Sequence, residues 1–398
     1  MAMKKTPLLA AIILLLAVSC PNEGDPSNMP PSEDVSSSME FAASMKIGWN
    51  LGNSLEAHNN LNPSETTWGN PQVTQTLIKG VADQGFGVVR IPVTWGTMIG
   101  DPPNYKINEA WLSRVAEVAG YAGAAGMKAI INIHHDGADS HYWLSVKTED
   151  ITGEAKAEID AKFKAVWTQI AAAFKNSGNF LLFEGFNELH DGSWSDGSSA
   201  QRARINELNQ IFVDTVRAAG GENSERFLVI HGWVTRPSVT VSSLVMPVDS
   251  AADRIIAGIH FYDPYNFAGS AKQTVWGDKA LPGDWANEKN VKNIFDSVKK
   301  KFLNNNIPVI IGEYGAVNQS GSAFAYRKYY MEYVTKYAAD CGFIPIYWDN
   351  GGFGTGSEKF GLLNRSSGIP YDSSAGEILA VMMKAVNEDY SIDDITPP

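Results

Sequence analysis

The sequence predicts an α/β chain folded as a single (β/α)8 TIM barrel, and three observations carry that expectation. Eight short apolar runs alternate with longer stretches whose apolar residues recur at helical spacing. Near-continuous apolar strands separated by helices mean a parallel sheet covered by helices. Eight such strands in about 350 residues fit a closed barrel better than an open sheet. No Gly-x-Gly-x-x-Gly follows the first strand, so a dinucleotide-binding fold has no support.

Taken in chain order, residues 1–20 read as an address rather than as structure. Lys4 and Lys5 precede an apolar run, 8–18, that is too short to span a bilayer as an ordinary helix. Ala17-Val18-Ser19-Cys20 resembles a bacterial lipoprotein signal whose cysteine is lipidated after cleavage, with Ala17 standing where the usual motif has Leu. A simple secretory signal cut near Cys20 is the alternative, and either reading exports the protein. The expectation is an outer-membrane or cell-surface lipoprotein anchored through Cys20, or else a periplasmic or secreted protein. Residues 21–38 form a Pro/Ser/acidic linker with too few apolar side chains to fold. The folded domain then covers 39–390, followed by a short tail, 391–398.

Within that domain the expected strands are 46–50, 88–92, 128–134, 180–187, 227–231, 255–262, 307–313 and 344–348. Between most of them lie helical patterns such as 110–125, 155–174, 201–219, 291–304 and 324–339, several ending in Gly or Asn as helices do. A composition with 44% hydrophobic residues can bury a large core. The formal charge of −12, from 32 Lys+Arg against 44 Asp+Glu, disfavours nucleic acid and anionic membrane surfaces as main partners. Cys341 and Cys20 are the only cysteines, and Cys20 belongs to the leader, so a disulfide or two-Cys zinc site is not expected. A monomer is expected.

Each apolar strand ends in a polar or aromatic cluster: Trp49-Asn50, Arg90, His134-His135-Asp136, Asn187-Glu188, His231, His260-Phe261-Tyr262, Glu313 and Trp348-Asp349-Asn350. In a barrel the carboxyl ends of all strands share one rim, where barrel active sites lie. Two of these ends offer Glu, at 188 and 313. Two carboxyls across a pocket are the minimum equipment for cleaving a glycosidic bond, one protonated to donate to the leaving oxygen and the other ionised. Arg90 is a fixed positive charge expected to hold one of the two carboxylates ionised. His260 and Tyr262 share a strand face as donors, and Asn187 suits a sugar hydroxyl. Glu184, four before Glu188, is expected to be a buried, hydrogen-bonded carboxylate inside the barrel.

A metal site is the sharpest rival, combining His134, His260 and a carboxylate. Consecutive strand residues point to opposite faces, so His134, His135 and Asp136 cannot share one ion. No three-ligand set is therefore expected on the rim, and neither a metal nor any other cofactor is expected. Trp68, Trp95, Trp143, Trp194, Trp233, Trp276 and Trp348 fall at strand ends or in loops, which suggests a groove for several sugars, since sugar rings have apolar faces that stack on indole.

These residues resemble a known family. Arg90-Ile91-Pro92, Asn132-Ile133-His134-His135-Asp136, Phe186-Asn187-Glu188, His260-Phe261-Tyr262, Gly312-Glu313-Tyr314-Gly315 and Tyr347-Trp348-Asp349-Asn350-Gly351 look like glycoside hydrolase family 5. The segments 48–56, 65–71 and 264–267 are similar to its bacterial endoglucanase and xyloglucanase subgroup. The resemblance implies a retaining endo-β-1,4-glucanase acting on β-glucan, with Glu188 as acid/base and Glu313 as nucleophile. It implies a supporting shell of Arg90, His134, Asn187, His260, Tyr262 and Trp348, to which the rim and loop positions add Asn50, His135, Trp68 and Trp194 as substrate-binding candidates. The sequence departs from the family at Leu189, where many members have Pro, and a less restrained loop is expected there. A β-mannanase and a surface glycan-binding lipoprotein without catalysis are the alternatives, the second disfavoured because both catalytic positions are Glu.

Overall fold

Apolar β-branched runs settle as strands because their stiff side chains pack well on a pleated surface. A computed structural model describes residues 37–137 and 142–398. The leader and linker positions 1–36 lie outside the described residues. Eight parallel strands close one barrel: β1 Gly48–Leu51, β2 Val88–Ile91, β3 Lys128–Asn132, β4 Leu181–Glu184, β5 Leu228–His231, β6 Ile255–Phe261, β7 Val309–Tyr314 and β8 Ile344–Asp349. Gly48 of β1 pairs with both Val88 of β2 and Ile346 of β8, which closes the ring. β3 stops at Asn132 and β4 at Glu184, so His134, Asn187 and Glu188 sit on the loops that follow.

Outside the ring a helix follows every strand: Gln75–Asp83, Glu109–Ala124, Gly153–Ala173, Ser199–Ala218, Pro237–Ser243, Glu288–Lys301, Ser322–Cys341 and Ser373–Asn387. Their starts obey capping chemistry, in which a side-chain oxygen satisfies an orphan backbone N–H. Thr74, Asn108 and Asp372 accept from Leu77, Trp111 and Ala375, and Ser198 with Gln201 makes a reciprocal capping box. Among the described residues no helix is long and apolar enough to cross a membrane.

The strand period of two sorts side chains between the two faces. Val88, Ile130, Leu182, Val229, Ile256, Ile310 and Ile346 cluster inside the barrel, while Val89, Ile131, Phe183, Ile230, Ala257, Ile311 and Tyr347 join the core beneath the helices. A helix before the barrel, Ser38–Met45, closes the floor with Phe41 and Met45. Phe41 stacks on Phe227 at 3.8 Å between centroids. That helix begins within the last residue of the expected linker, held by Ser38 N–H on Asp253 Oδ2 at 3.0 Å. At the other end a short turn, Ile392–Asp394, forms in the expected tail, and Ile395 is buried.

Two residues above the apolar layer, the same inward positions read Asn50, Arg90, Asn132, Glu184, His231, Gly258, Gly312 and Trp348. The barrel interior thus changes from apolar to polar within one pleat, at the end that carries the strand carboxyl termini.

Candidate active site

Arg90 organises this polar layer. Its five N–H donors are all used: Nε and Nη2 bind the Glu184 carboxylate at 2.7 Å each, Nη1 binds Glu313 Oε1 at 2.8 Å and Asn50 Oδ1 at 3.0 Å, and Nη2 also binds Asn187 Oδ1 at 2.7 Å. Such a fork holds one planar geometry that a lysine cannot copy. Asn50 in turn donates to the Gly312 carbonyl at 2.9 Å. Arg90 and Asn50 are 0% exposed, so both position the site from below. This corrects their expected role as sugar contacts: every polar atom that could reach a sugar is spent on the protein. With its oxygen fixed by Arg90, Asn187 is left to present its Nδ2 amide.

Glu313 reaches the site through a break in the strand alternation. On β7 Gly312 points inward, since a Cβ there would lie 3.0 Å from His260 Nε2 and 3.8 Å from Arg90 Nε. Glu313 is next in sequence and should face outward. The register between β6 and β7 shifts at this point, from Ile259 opposite Ile311 to His260 opposite Glu313. This bulge adds one residue and turns the Glu313 carboxylate into the barrel, where bulges characteristically re-aim a side chain. Tyr262 Oη donates to its other oxygen at 3.1 Å.

Across the mouth, Glu188 lies four residues beyond Glu184 with its side chain 18% exposed. Its Oε1 is 2.6 Å from His260 Nδ1 and 3.4 Å from Thr235 Oγ1. One oxygen of Glu188, one of Glu313 and a nitrogen of His260 all lie within 4.8 Å of one another. That set overturns the expectation that the rim offers no three donors in reach of one ion, because the bulge brings Glu313 into range. His260 Nδ1 is already taken by Glu188.

Burial governs the titration here. Burial pushes the Glu188 carboxyl up to about 7, against the Arg90 and His190 charges that favour its anion. Burial raises Glu313 as well, opposed by His260 and Arg90 and reinforced by the Glu188 charge. Arg90 does push Glu313 down, but burial outweighs it and the net shift is upward. Arg90 divides its donors among four groups and gives Glu184 the bidentate share. Glu184 is held well below the carboxylate range by Arg90, as expected for a buried, hydrogen-bonded carboxylate. His260 is lowered to about 3 by burial, so the imidazole between the two carboxyls is neutral. Tyr262 is raised well above its usual value by burial and stays a phenol donor.

The aromatic residues divide into two groups. Trp348 lines the mouth and lies parallel to His134, 6.0 Å between centroids. Asn132 Nδ2 is 3.1 Å from His134 Nδ1 and donates to it, which leaves Nε2–H as the free donor of His134. Beyond them a cleft of about 540 Å³ is lined by Trp68, Asn70, His135, Trp348, Asn350 and Glu358 among others. Trp68 is 41% exposed and meets His135 edge-on, while Trp194, 62% exposed, rests against His190 on the Glu188 side. Trp95, Trp233 and Trp276 are buried and take no part in a groove, because each indole N–H is tied to a backbone carbonyl, of Asn132, Ser195 and Ala286. Trp143 donates to Asp136, which holds the Trp95 and Gly96 N–H groups.

Leu189 is not loosely held. It is buried, its N–H bonds to the Asn187 carbonyl at 3.1 Å, and its own carbonyl accepts from Val234 at 3.2 Å. Sequence reasoning missed Thr235 and Asp349. Asp349 is 0% exposed and gathers Trp49 Nε1, the N–H groups of Gly351, Leu362 and Leu363, and Arg365, which fixes the strand end that carries Trp348. Its place beside Trp348 was visible; its partners Trp49, Leu362, Leu363 and Arg365 come from two other segments and were not.

A family model described as Cellulase (glycosyl hydrolase family 5) matches residues 52–354. Endoglucanase A of Paenibacillus barcinonensis is 38% identical over 347 residues, covering 82% of this chain and 85% of the relative. Among solved structures, the GH5-4 broad specificity endoglucanase from Bacteroides salanitronis is 44% identical with a TM-score of 0.86, covering 90% of this chain and 98% of that one. The Bacteroides ovatus GH5 xyloglucanase in complex with a XXXG heptasaccharide is 33% identical with a TM-score of 0.79, covering 90% and 79%.

Proposed function

This chain belongs to glycosyl hydrolase family 5, the cellulases, and on that premise we propose how its site cuts a β-glucan. It is an endo-β-1,4-glucanase. In our reading Glu188 is the acid/base and Glu313 the nucleophile of a retaining double displacement. Glu188, protonated, gives its proton to the glycosidic oxygen as Glu313 Oε2 or Oε1 attacks the anomeric carbon, and the aglycone leaves as an alcohol. Glu188, now ionised, takes a proton from water, which attacks the same carbon and frees Glu313. His260 keeps Glu188 aimed, and the Tyr262 phenol steadies Glu313.

The approach of the two carboxyls carries this reading. Oxygens within 4.8 Å favour the narrow arrangement, about 5–5.5 Å between carboxyls, over the roughly 6.5–9.5 Å that leaves room for a water in inversion. NMR of the first-formed product should show retained configuration; inversion would overturn the reading. Glu188→Ala should spare substrates with activated leaving groups and recover with azide, whereas Glu313→Ala should turn over neither kind. EDTA should leave activity unchanged, and loss that zinc restores would revive a metal role for Glu188, His260 and Glu313.

The substrate we propose is an unsubstituted or branched β-1,4-glucan, with cellulose, mixed-linkage glucan and xyloglucan as candidates. A product profile on those polymers, with mannan as control, ranks them. We propose that the chain is exported and held by lipid on Cys20, which labelled palmitate should enter in the native protein and not in Cys20→Ala. We propose that the active species is a monomer, which light scattering checks.

A further inference from the structure

The turn after β5 contains an unusual backbone. Val234 and Thr235, both β-branched, have φ of 48° and 53°, where such side chains are strongly disfavoured. Nothing in the sequence marks this, since neither position is a glycine. The turn is stitched to the loop that carries Glu188 at three points. Val234 N–H bonds to the Leu189 carbonyl at 3.2 Å, Trp233 Nε1 to the Ser195 carbonyl at 2.9 Å, and Arg236 to the Trp194 carbonyl and Asp196. The result is to bring Thr235, 0% exposed, beneath the Glu188 carboxyl. Its Oγ1 lies 2.6 Å from the Val234 carbonyl and 3.4 Å from Glu188 Oε1.

We propose that Thr235 is a positioning residue for Glu188, a hydroxyl rotor that donates to the Val234 carbonyl while Glu188 holds its proton and turns onto the carboxylate once that proton has left. The inference rests on the reading of Glu188 as acid/base. A hydroxyl has one hydrogen, so it cannot serve both acceptors at once, and the acceptor that gains negative charge draws it. Other groups face Glu188 too: Arg90 from β2, His231 from β5, His260 from β6 with Tyr262 just beyond it, Glu313 from β7, and His190 and Tyr265 from the loops. Of these His260 is the one shown in hydrogen-bond contact, and its imidazole stays in place as the proton moves. Thr235 supplies the adjustable donor. Its effect is to favour the Glu188 anion, which assists release of the proton in the first step and keeps Glu188 ionised, the form able to act as base, for the second.

The test compares Thr235→Val, which keeps shape and removes the hydroxyl, with Thr235→Ser, which keeps it. Both are assayed on soluble β-glucan and on an aryl β-cellobioside with an activated leaving group. Thr235→Val should move the alkaline limb of kcat/KM up by about half to one pH unit. It should also slow the activated substrate about three- to tenfold below that limb, where breakdown of the glycosyl-enzyme limits the rate. Thr235→Ser should restore the native limb. In a Glu188→Ala background Thr235→Val should add no pH effect. An unmoved limb in a folded Thr235→Val enzyme, or a uniform fall in kcat at every pH that Thr235→Ser does not repair, would overturn the proposal. Glu188→Ala failing on the activated substrate would instead overturn the acid/base reading itself, so the two failures are distinguishable.

Discussion

Arg90 shows how one residue sets the protonation states of several. Its guanidinium is fully spent on Glu184, Glu313, Asn187 and Asn50, and two of those partners are carboxylates that burial alone would neutralise. Arg90→Lys would leave at least one of them without a partner, and a loss of about 3–5 kcal/mol in unfolding free energy is expected by denaturant titration. The carboxyl left protonated at pH 7 should appear in the infrared. A second expectation concerns pH. As the proposed acid Glu188 must be protonated, so kcat/KM should fall as pH rises through about 7. As the proposed nucleophile Glu313 must be ionised, and because burial raises it, the acidic limb should lie above the ordinary carboxylate value. Glu313→Gln removes a negative charge within 4.8 Å of Glu188, so the Glu188 pKa followed by NMR should drop below about 7. An unchanged value would mean the two carboxyls are not coupled.

At the scale of elements, β7 is the strand that matters most. Strict alternation along it would aim Glu313 at the helices, and the bulge at Gly312 aims it at Arg90. Glycine is required there because a methyl group would press on His260 Nε2 at 3.0 Å. Gly312→Ala should therefore displace His260, and with it the contact to Glu188. A shift of about 1 Å is enough for a 100-fold fall in kcat. Unchanged far-UV circular dichroism with that fall would locate the damage in the site. The turn after β5 illustrates the same principle with backbone strain in place of a bulge: two left-handed β-branched residues, each disfavoured by about 1–3 kcal/mol, persist because four bonds to the neighbouring loop hold them.

Across the whole molecule the barrel separates stability from chemistry. The floor is apolar and closed by Phe41 and Met45, while the mouth is polar and carries the carboxyls. Phe41→Ala removes a fully buried ring stacked on Phe227, for an expected loss of about 3–5 kcal/mol. Thermal unfolding should shift accordingly while kcat at a temperature well below the transition stays the same. A matching loss of kcat would mean that floor and mouth are mechanically linked.

Composition and periodicity were enough to determine the ring of strands, the helices between them and the fact that polar groups gather at one end, because those follow from local patterns of burial. The motif around Glu188 and the one around Glu313 also determined the family, since each chemical group sits in a short contiguous run. The sequence could not show that Asn50 and Arg90 work from beneath, that burial outweighs Arg90 at Glu313, or that Trp95, Trp233 and Trp276 are interior. Those depend on which distant segments meet, and on solvent that only a closed barrel excludes. Thr235 and the inward turn of Glu313 are the plainest cases. One requires backbone dihedrals that its residue types disfavour, and the other requires a one-residue shift between neighbouring strands; both are imposed by packing against the rest of the ring and have no signature in the residues themselves.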